Sequence, residues 1–176
     1  MQVLIAIGAN LPRSLGAGVM GASPLATCEA AVQALREIPG LSVERVSAWY
    51  ESEAIPASSQ PPYVNGVAFG RSFLSPETLL ERLHAIEADY GRVRGELNAA
   101  RTLDLDLIDA GGEVRRDGSP VLPHPRAHER AFVLLPLRDV EPDWKHPILG
   151  ATVQELIDRL EPQAIRRLPA DVVALP

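Results

Sequence analysis

The order of the apolar segments constrains this chain more than any other feature. Val3–Ile7 is a continuous apolar, β-prone run ending at Gly8, which reads as a buried strand. Leu11–Ser23 is rich in Gly and Ser and reads as a loop. A helix is predicted from Pro24 to Ile38. Pro24 suits a first turn, Leu25, Cys28, Ala31, Val32 and Leu35 share one face, and Pro39-Gly40 ends it. Leu41–Ser52 reads as one strand, Ala54–Pro62 as a loop, and Tyr63–Phe73 as another strand, with a bulge allowed for at Gly66. Ser75-Pro76 signals an N-cap and first helical turn. Leu79, Leu80, Leu83, Ile86 and Tyr90 then recur at helical spacing up to Gly91, the expected C-cap. Leu103–Asp109 alternates as a strand before the turn Gly111-Gly112.

The resulting β-α-β-β-α-β order is that of the split βαβ unit. Its physical solution is an antiparallel sheet with both helices on one face, an α+β fold of the ferredoxin-like type. The Pro-punctuated stretch Pro120–Pro125, a short helix near Glu129–Leu135 and an amphipathic helix over Thr152–Leu160 remain. They are expected to cover the other face and complete a layered α/β/α sandwich. The tail after about residue 161 is expected to fray. With 176 residues, no internal repeat and no linker, the chain reads as a single domain. A fold of this kind hosts many functions, so function has to come from side chains.

Charge and residue usage exclude several classes. The net charge is −6, which implies no broad nucleic-acid-binding surface. Of 17 basic residues only Lys145 is a lysine, and it stands in Trp144-Lys145-His146. A phosphate-binding G-K-[ST] loop and a protein-kinase lysine are therefore both absent. Gly16-Ala17-Gly18-Val19-Met20-Gly21 matches G-x-G-x-x-G, but the segment Ala9–Arg13-Ser14-Leu15 separates it from the first strand. A dinucleotide fingerprint must follow its strand directly. The lone Cys28 excludes a disulfide framework or a cysteine zinc site within one chain. The N-terminal apolar run is too short for a signal peptide or membrane span, and a cytoplasmic protein is expected.

Four constellations carry possible chemistry. In Arg101-Thr102-Leu103-Asp104-Leu105-Asp106-Leu107, strand alternation puts both aspartates on one face and the leucines on the other. Two like charges side by side on a strand repel, and a hard divalent cation such as Mg²⁺ would resolve that repulsion. The alternative is a solvated polar face. Arg92, Arg94 and Arg101 cluster beside this pair, as a shared polyphosphate would require, or as a surface ion-pair cluster would also allow. In Pro123-His124-Pro125-Arg126-Ala127-His128-Glu129-Arg130-Ala131-Phe132, Pro125 argues against a helix presenting both histidines to one metal, and histidine and arginine donors to phosphate are the better reading. Tyr63 and Asn65 share one face of a strand start, where an aromatic ring and an amide could read a flat heterocycle or simply pack.

Taken in order, Gly8-Ala9-Asn10, Gln60-Pro61-x-Tyr63-x-Asn65, Ile86-Glu87, Gly91-Arg92-Val93-Arg94, Arg101-Thr102-Leu103-Asp104-Leu105-Asp106, Pro123-His124 and Arg130-x-Phe132 closely resemble the 6-hydroxymethyl-7,8-dihydropterin pyrophosphokinases of folate biosynthesis. The resemblance runs from about residue 2 to residue 140. It implies Mg-dependent transfer of pyrophosphate from ATP to the pterin hydroxymethyl group, with release of AMP. It further implies that Asp104 and Asp106 hold two Mg²⁺ ions and that Arg92 and Arg101 are catalytic, stabilising the transferred phosphates. Glu87, Arg92, Arg94, Leu107, His124 and Arg130 would bind ATP, and Ser52, Ile55, Tyr63, Asn65 and Phe132 the pterin. A monomer acting on small molecules, without nucleic acid or membrane, is expected. The chain departs from the family pattern in four places. Asn98-Ala99-Ala100 stands where the family commonly has Trp-Gly-Pro, Ser52-Glu53-Ala54-Ile55 where it has a Thr-Pro-Pro segment, and Pro125 where it often has an aromatic residue. The Leu11–Ser23 loop is longer than usual. A related pyrophosphokinase with another acceptor, or a ferredoxin-like ligand-binding regulatory domain, are the alternatives.

Overall fold

Gln2–Ala9 forms β1, the strand around which the rest of a computed structural model is arranged. The structure describes residues 1–10, 23–53, 62–90 and 103–169. Pro24–Arg36 forms α1, Leu41–Val46 β2, Tyr50–Ser52 β3, Tyr63–Ser72 β4, Pro76–Asp89 α2 and Asp104–Ala110 β5. Ala127–Glu129 is a 3-10 turn, Ala131–Val140 forms α3, Val153–Asp158 α4 and Ile165–Arg167 β6. The sheet order is β5-β1-β4-β3-β6, with β2 also on β4, and these pairings are antiparallel. This is the expected ferredoxin-like α+β topology.

Both helices start as the sequence requires. Ser23 Oγ accepts from Ala26 N–H at 3.2 Å and Ser75 Oγ from Thr78 N–H at 3.2 Å, each followed by proline in the first turn. Alternation along β1 sends Val3, Ile5, Ile7 and Ala9 toward α1 and α2, where Leu35, Leu79 and Leu83 are fully buried. Leu4, Val67, Phe69 and Ile108 face the other way and pack on α3 and α4. The sheet is therefore covered on both sides, as a layered sandwich. Cys28 is wholly buried on α1, donates to Val64 O at 3.6 Å, and burial pushes its thiol far up. Among the described residues no helix is long and apolar enough to cross a membrane.

Four expectations are corrected. Leu41–Ser52 is two strands: β2 pairs with the Ala68–Ser72 end of β4 and β3 with its Tyr63–Asn65 end. Between them Ser47 Oγ accepts from Val67 N–H at 2.9 Å, replacing a ladder bond. Gly66 is not bulged. It pairs in register with Ile7, and glycine is required because Trp49 ring atoms lie 2.5 and 2.6 Å from where a Cβ would stand. The helix near residue 130 continues through Pro136 to Val140, because Val133, Leu134, Leu137 and Val140 bury one face. That burial outweighs the roughly 3 kcal/mol an interior proline costs. The tail does not fray at residue 161: β6 pairs with β3, and Arg166 meets Glu51 at 3.2 Å.

One irregularity shapes β5. Leu4 pairs with Asp109 and Ile5 with Leu107, so Ile108 is an extra residue. The bulge reverses the alternation beyond it. Asp109 thereby faces the α3 layer, where Trp144 Nε1–H donates to it at 3.0 Å, instead of the α1/α2 core.

Candidate active site

The acidic pair is built by β5. Leu103, Leu105 and Leu107 are buried in the α1/α2 core, which fixes Asp104 and Asp106, both half-buried, on the opposite face. Directly opposite them on β1 stand Gly8 and Ala6. With two such small partners, no long β1 side chain stands directly opposite the carboxylates. β5 is the sheet's outer strand, and its free edge is held from outside. Glu87, wholly buried at the end of α2, accepts from Leu105 N–H through Oε2 at 2.9 Å. His124 N–H donates to Ile108 O at 2.8 Å. Leu107 places its side chain in the core and only its main chain on this edge.

The cationic side comes from the segment before α3. His124 Nδ1 accepts from Arg126 N–H at 3.2 Å, which leaves the ring proton on Nε2 as a donor. Burial holds the His124 imidazole below its ordinary value, helped by Arg130 and Arg126 and opposed by Asp104. Burial likewise lowers Arg130, whose charge is felt by Arg126, Asp106 and Asp104. Asp104, Asp106, His124, Arg126 and Arg130 thus form one electrostatic cluster. Arg130 also lies over the Phe132 ring, 5.3 Å from its centroid. Gln163 brackets this arginine: its Oε1 accepts from Ala131 N–H and its Nε2 donates to Glu129 O, both at 3.0 Å.

The amide side comes from β3 and β4. Asn65 is buried and donates through Nδ2 to Ser52 Oγ at 3.0 Å. Ser52 pairs with Tyr63 across the two strands. Asn65 pairs with Gly8, which pairs with Asp104, so one row across the sheet carries the amide, a bare glycine and a carboxylate. Directly opposed residues share a face, and two strand spacings make the amide and carboxylate strands roughly 10 Å apart.

Among the described residues no group of three or more His, Cys, Asp or Glu side chains converges to cage a metal. Two carboxylates with cationic neighbours instead suit Mg²⁺, which takes few protein ligands and keeps waters and phosphate oxygens. The donor set fits that ion.

The structure therefore brings together Asp104, Asp106, His124 and Arg130 on one side and Ser52, Tyr63, Asn65 on the other, with Phe132 next to Arg130. Ile55, Arg92, Arg94 and Arg101 lie outside the described residues, as do Asn98 and the G-x-G-x-x-G segment. Sequence reasoning assigned no individual role to Arg126, Gly8 or Gln163. Arg126 lay in the Pro123–Phe132 stretch read for histidine and arginine donors; the other two depend on pairing and a contact from distant chain.

The chain is similar to known proteins. A family model described as 7,8-dihydro-6-hydroxymethylpterin-pyrophosphokinase matches residues 4–142. The chain is 42% identical over 137 residues to a 2-amino-4-hydroxy-6-hydroxymethyldihydropteridine pyrophosphokinase of Synechocystis, covering 78% of this chain and 70% of that protein. It is 36% identical over 168 residues to the enzyme of the same name from Pseudomonas aeruginosa, covering 96% and 97%. Its fold resembles the crystal structure of wild-type Plasmodium falciparum HPPK-DHPS, with TM-score 0.64 and 13% identity over 90% of this chain. The chain spans 44% of that longer protein. With a family model covering most of its length and a relative matched nearly end to end, this chain belongs to the 7,8-dihydro-6-hydroxymethylpterin-pyrophosphokinase family.

Proposed function

We propose that this chain transfers the β,γ-pyrophosphoryl group of ATP to the hydroxymethyl oxygen of 6-hydroxymethyl-7,8-dihydropterin, releasing AMP. The observation that carries this reading is the row Asp104–Gly8–Asn65, a carboxylate with cationic neighbours and an oriented amide facing the same side of one sheet. The hydroxymethyl oxygen attacks the β-phosphorus, the bond from that phosphorus to its oxygen bridging to the α-phosphorus breaks, and AMP leaves with that oxygen. The hydroxyl proton passes to water. Asp104 and Asp106 would hold two Mg²⁺ ions, which when bound neutralise the phosphate oxygens.

His124 supplies a neutral Nε2–H donor and Arg130 a charged one toward the nucleotide phosphates. Glu87 and Leu107 contribute to the ATP side through the strand edge they share, joined by Arg94. Arg92 and Arg101 stabilise the transferring group, a role that appears in kcat. Asn65 reads the heterocycle, with Ser52 and Tyr63 beside it, Phe132 covers a ring face, and Ile55 is assigned to the pterin as well. The chain is read as acting as a monomer. ATP as co-substrate fits a cytoplasmic place of action.

The test is nucleotide analysis with ATP and Mg²⁺, with and without the hydroxymethyl pterin. AMP formation strictly dependent on the pterin, and abolished by a chelator, is expected. ADP as product, or AMP release indifferent to the pterin, overturns the reading.

A further inference from the structure

Gly8 is the β1 position that stands opposite both Asp104 on β5 and Asn65 on β4. Its backbone gives no reason for glycine, because it is not among the positive-φ glycines, which are Gly40, Gly111, Gly112, Gly118 and Gly150. A strand glycine in ordinary geometry costs stability relative to alanine. The missing side chain is what matters. A Cβ at Gly8 would stand 2.9 Å from Asn65 Oδ1, closer than real Cβ contacts come, while the next atom, Val64 O, is at a comfortable 3.8 Å. The Asn65 amide therefore leans over Gly8. Its Nδ2 end is tied on the far side to Ser52 Oγ at 3.0 Å. The hydroxyl and the bare glycine act on opposite ends of one amide, and together they turn Oδ1 over β1.

We infer that Gly8 is a specificity-determining positioning residue, whose bare Cα lets Asn65 Oδ1 lie over β1 as an acceptor for the N–H edge of a flat heterocycle. The inference rests on the proposed pterin reading and deepens it. A heterocycle held by that oxygen lies across β1, and its far substituent is directed toward Asp104 and Asp106. Gly8 acts only through Asn65 and through the space it leaves.

The experiment compares Gly8→Ala, Asn65→Ala and the double variant with the wild-type chain. Gly8→Ala should weaken pterin binding by about tenfold, the size of one misplaced buried hydrogen bond. Affinity for a non-hydrolysable ATP analogue should stay within about twofold. In the Asn65→Ala background, Gly8→Ala should add less than about twofold, because the oxygen it strikes is gone. Gly8→Ala should cost no melting temperature in the Asn65→Ala background beyond that of Asn65→Ala itself. Wild-type pterin affinity in Gly8→Ala, multiplicative losses in the double variant, an equal loss of ATP-analogue affinity, or a double variant that melts below Asn65→Ala by as much as Gly8→Ala melts below wild type each overturn the inference. NMR of the Asn65 side-chain amide without ligand separates this from the pterin reading itself. Gly8→Ala should shift those resonances; unchanged resonances overturn the role of Gly8 even if the wild-type chain binds pterin. A wild-type chain that binds the ATP analogue but no pterin overturns the acceptor reading, whatever the amide does.

Discussion

At the residue scale, the site uses the same charged groups in different states, and each state has a measurable consequence. Asp104 and Asp106 stand opposite small β1 partners, and the isosteric change to Asn keeps their volume. Asp104→Asn and Asp106→Asn should each keep the wild-type melting temperature within a few degrees while lowering transfer by more than about a hundredfold. Steady-state rates and a thermal melt check both halves, and activity within about threefold of wild type would remove the metal assignment. Two histidines are held neutral, both chiefly by burial: His124, and His146, whose Nδ1 accepts from Ile148 N–H and Leu149 N–H at 3.2 and 3.1 Å. Their folded values lie below the ordinary one. Above about pH 6.5 neither the folded nor the unfolded chain binds these protons, and the burial has no effect on the balance. Below it the unfolded chain takes up protons that the folded chain refuses, so stability falls as pH drops. The slope ends once the depressed folded values are passed. Denaturant melts between about pH 7.5 and pH 5 should show this, with a smaller decline in His146→Gln. The pair of aspartates and the His124 and Arg130 side chains were legible from residue type and spacing. The tautomer of His124 was not, because it depends on a turn that brings Arg126 N–H back to the ring.

At the element scale, β5 works as a presenting strand only if its outer edge is satisfied. Glu87 does this for Leu105 N–H from a helix that precedes the strand by many residues. Glu87→Ala would leave that buried donor without its acceptor and should cost about 1–3 kcal/mol. Glu87→Gln keeps a carbonyl acceptor and should recover most of it; denaturant midpoints of the two variants measure the difference. An Ala variant as stable as wild type would show that the edge does not need the carboxylate. Strands and helices with strong periodicity or caps were read correctly from sequence: β1, α1, α2 and β5 stand within a residue or two of expectation. The misreadings share a cause. β2 and β3 look like one strand because Ser47 fills the gap between them by bonding to Val67, a contact no local pattern contains. Gly66 suggests a bulge until Trp49 is found over it. β6 has three residues, and only the edge of β3 makes it a strand.

At the scale of the whole molecule, the segment after α4 touches both halves of the site. β6 pairs with β3 beside Ser52, and Gln163 brackets Arg130 with two hydrogen bonds. Gln163→Ala should lower stability by about 1–2 kcal/mol. It should also raise the KM for ATP by roughly threefold with kcat little changed, as expected when ground-state and transition-state binding are lost together. Kinetics at varied ATP distinguish this from a purely structural loss, which would leave KM alone. The two-layer cover of the sheet also decides how the molecule can be observed. Cys28 is sealed between α1 and the sheet, with its thiol far from ionising at neutral pH. Since the thiolate is the reactive species, the native chain should be silent to maleimides and iodoacetamides. A single cysteine introduced beside Arg92 or Arg101 then carries a spin label or fluorophore by itself, with no background to subtract. A label at that position reports on the arginines during turnover in a chain whose own sulfur chemistry is switched off.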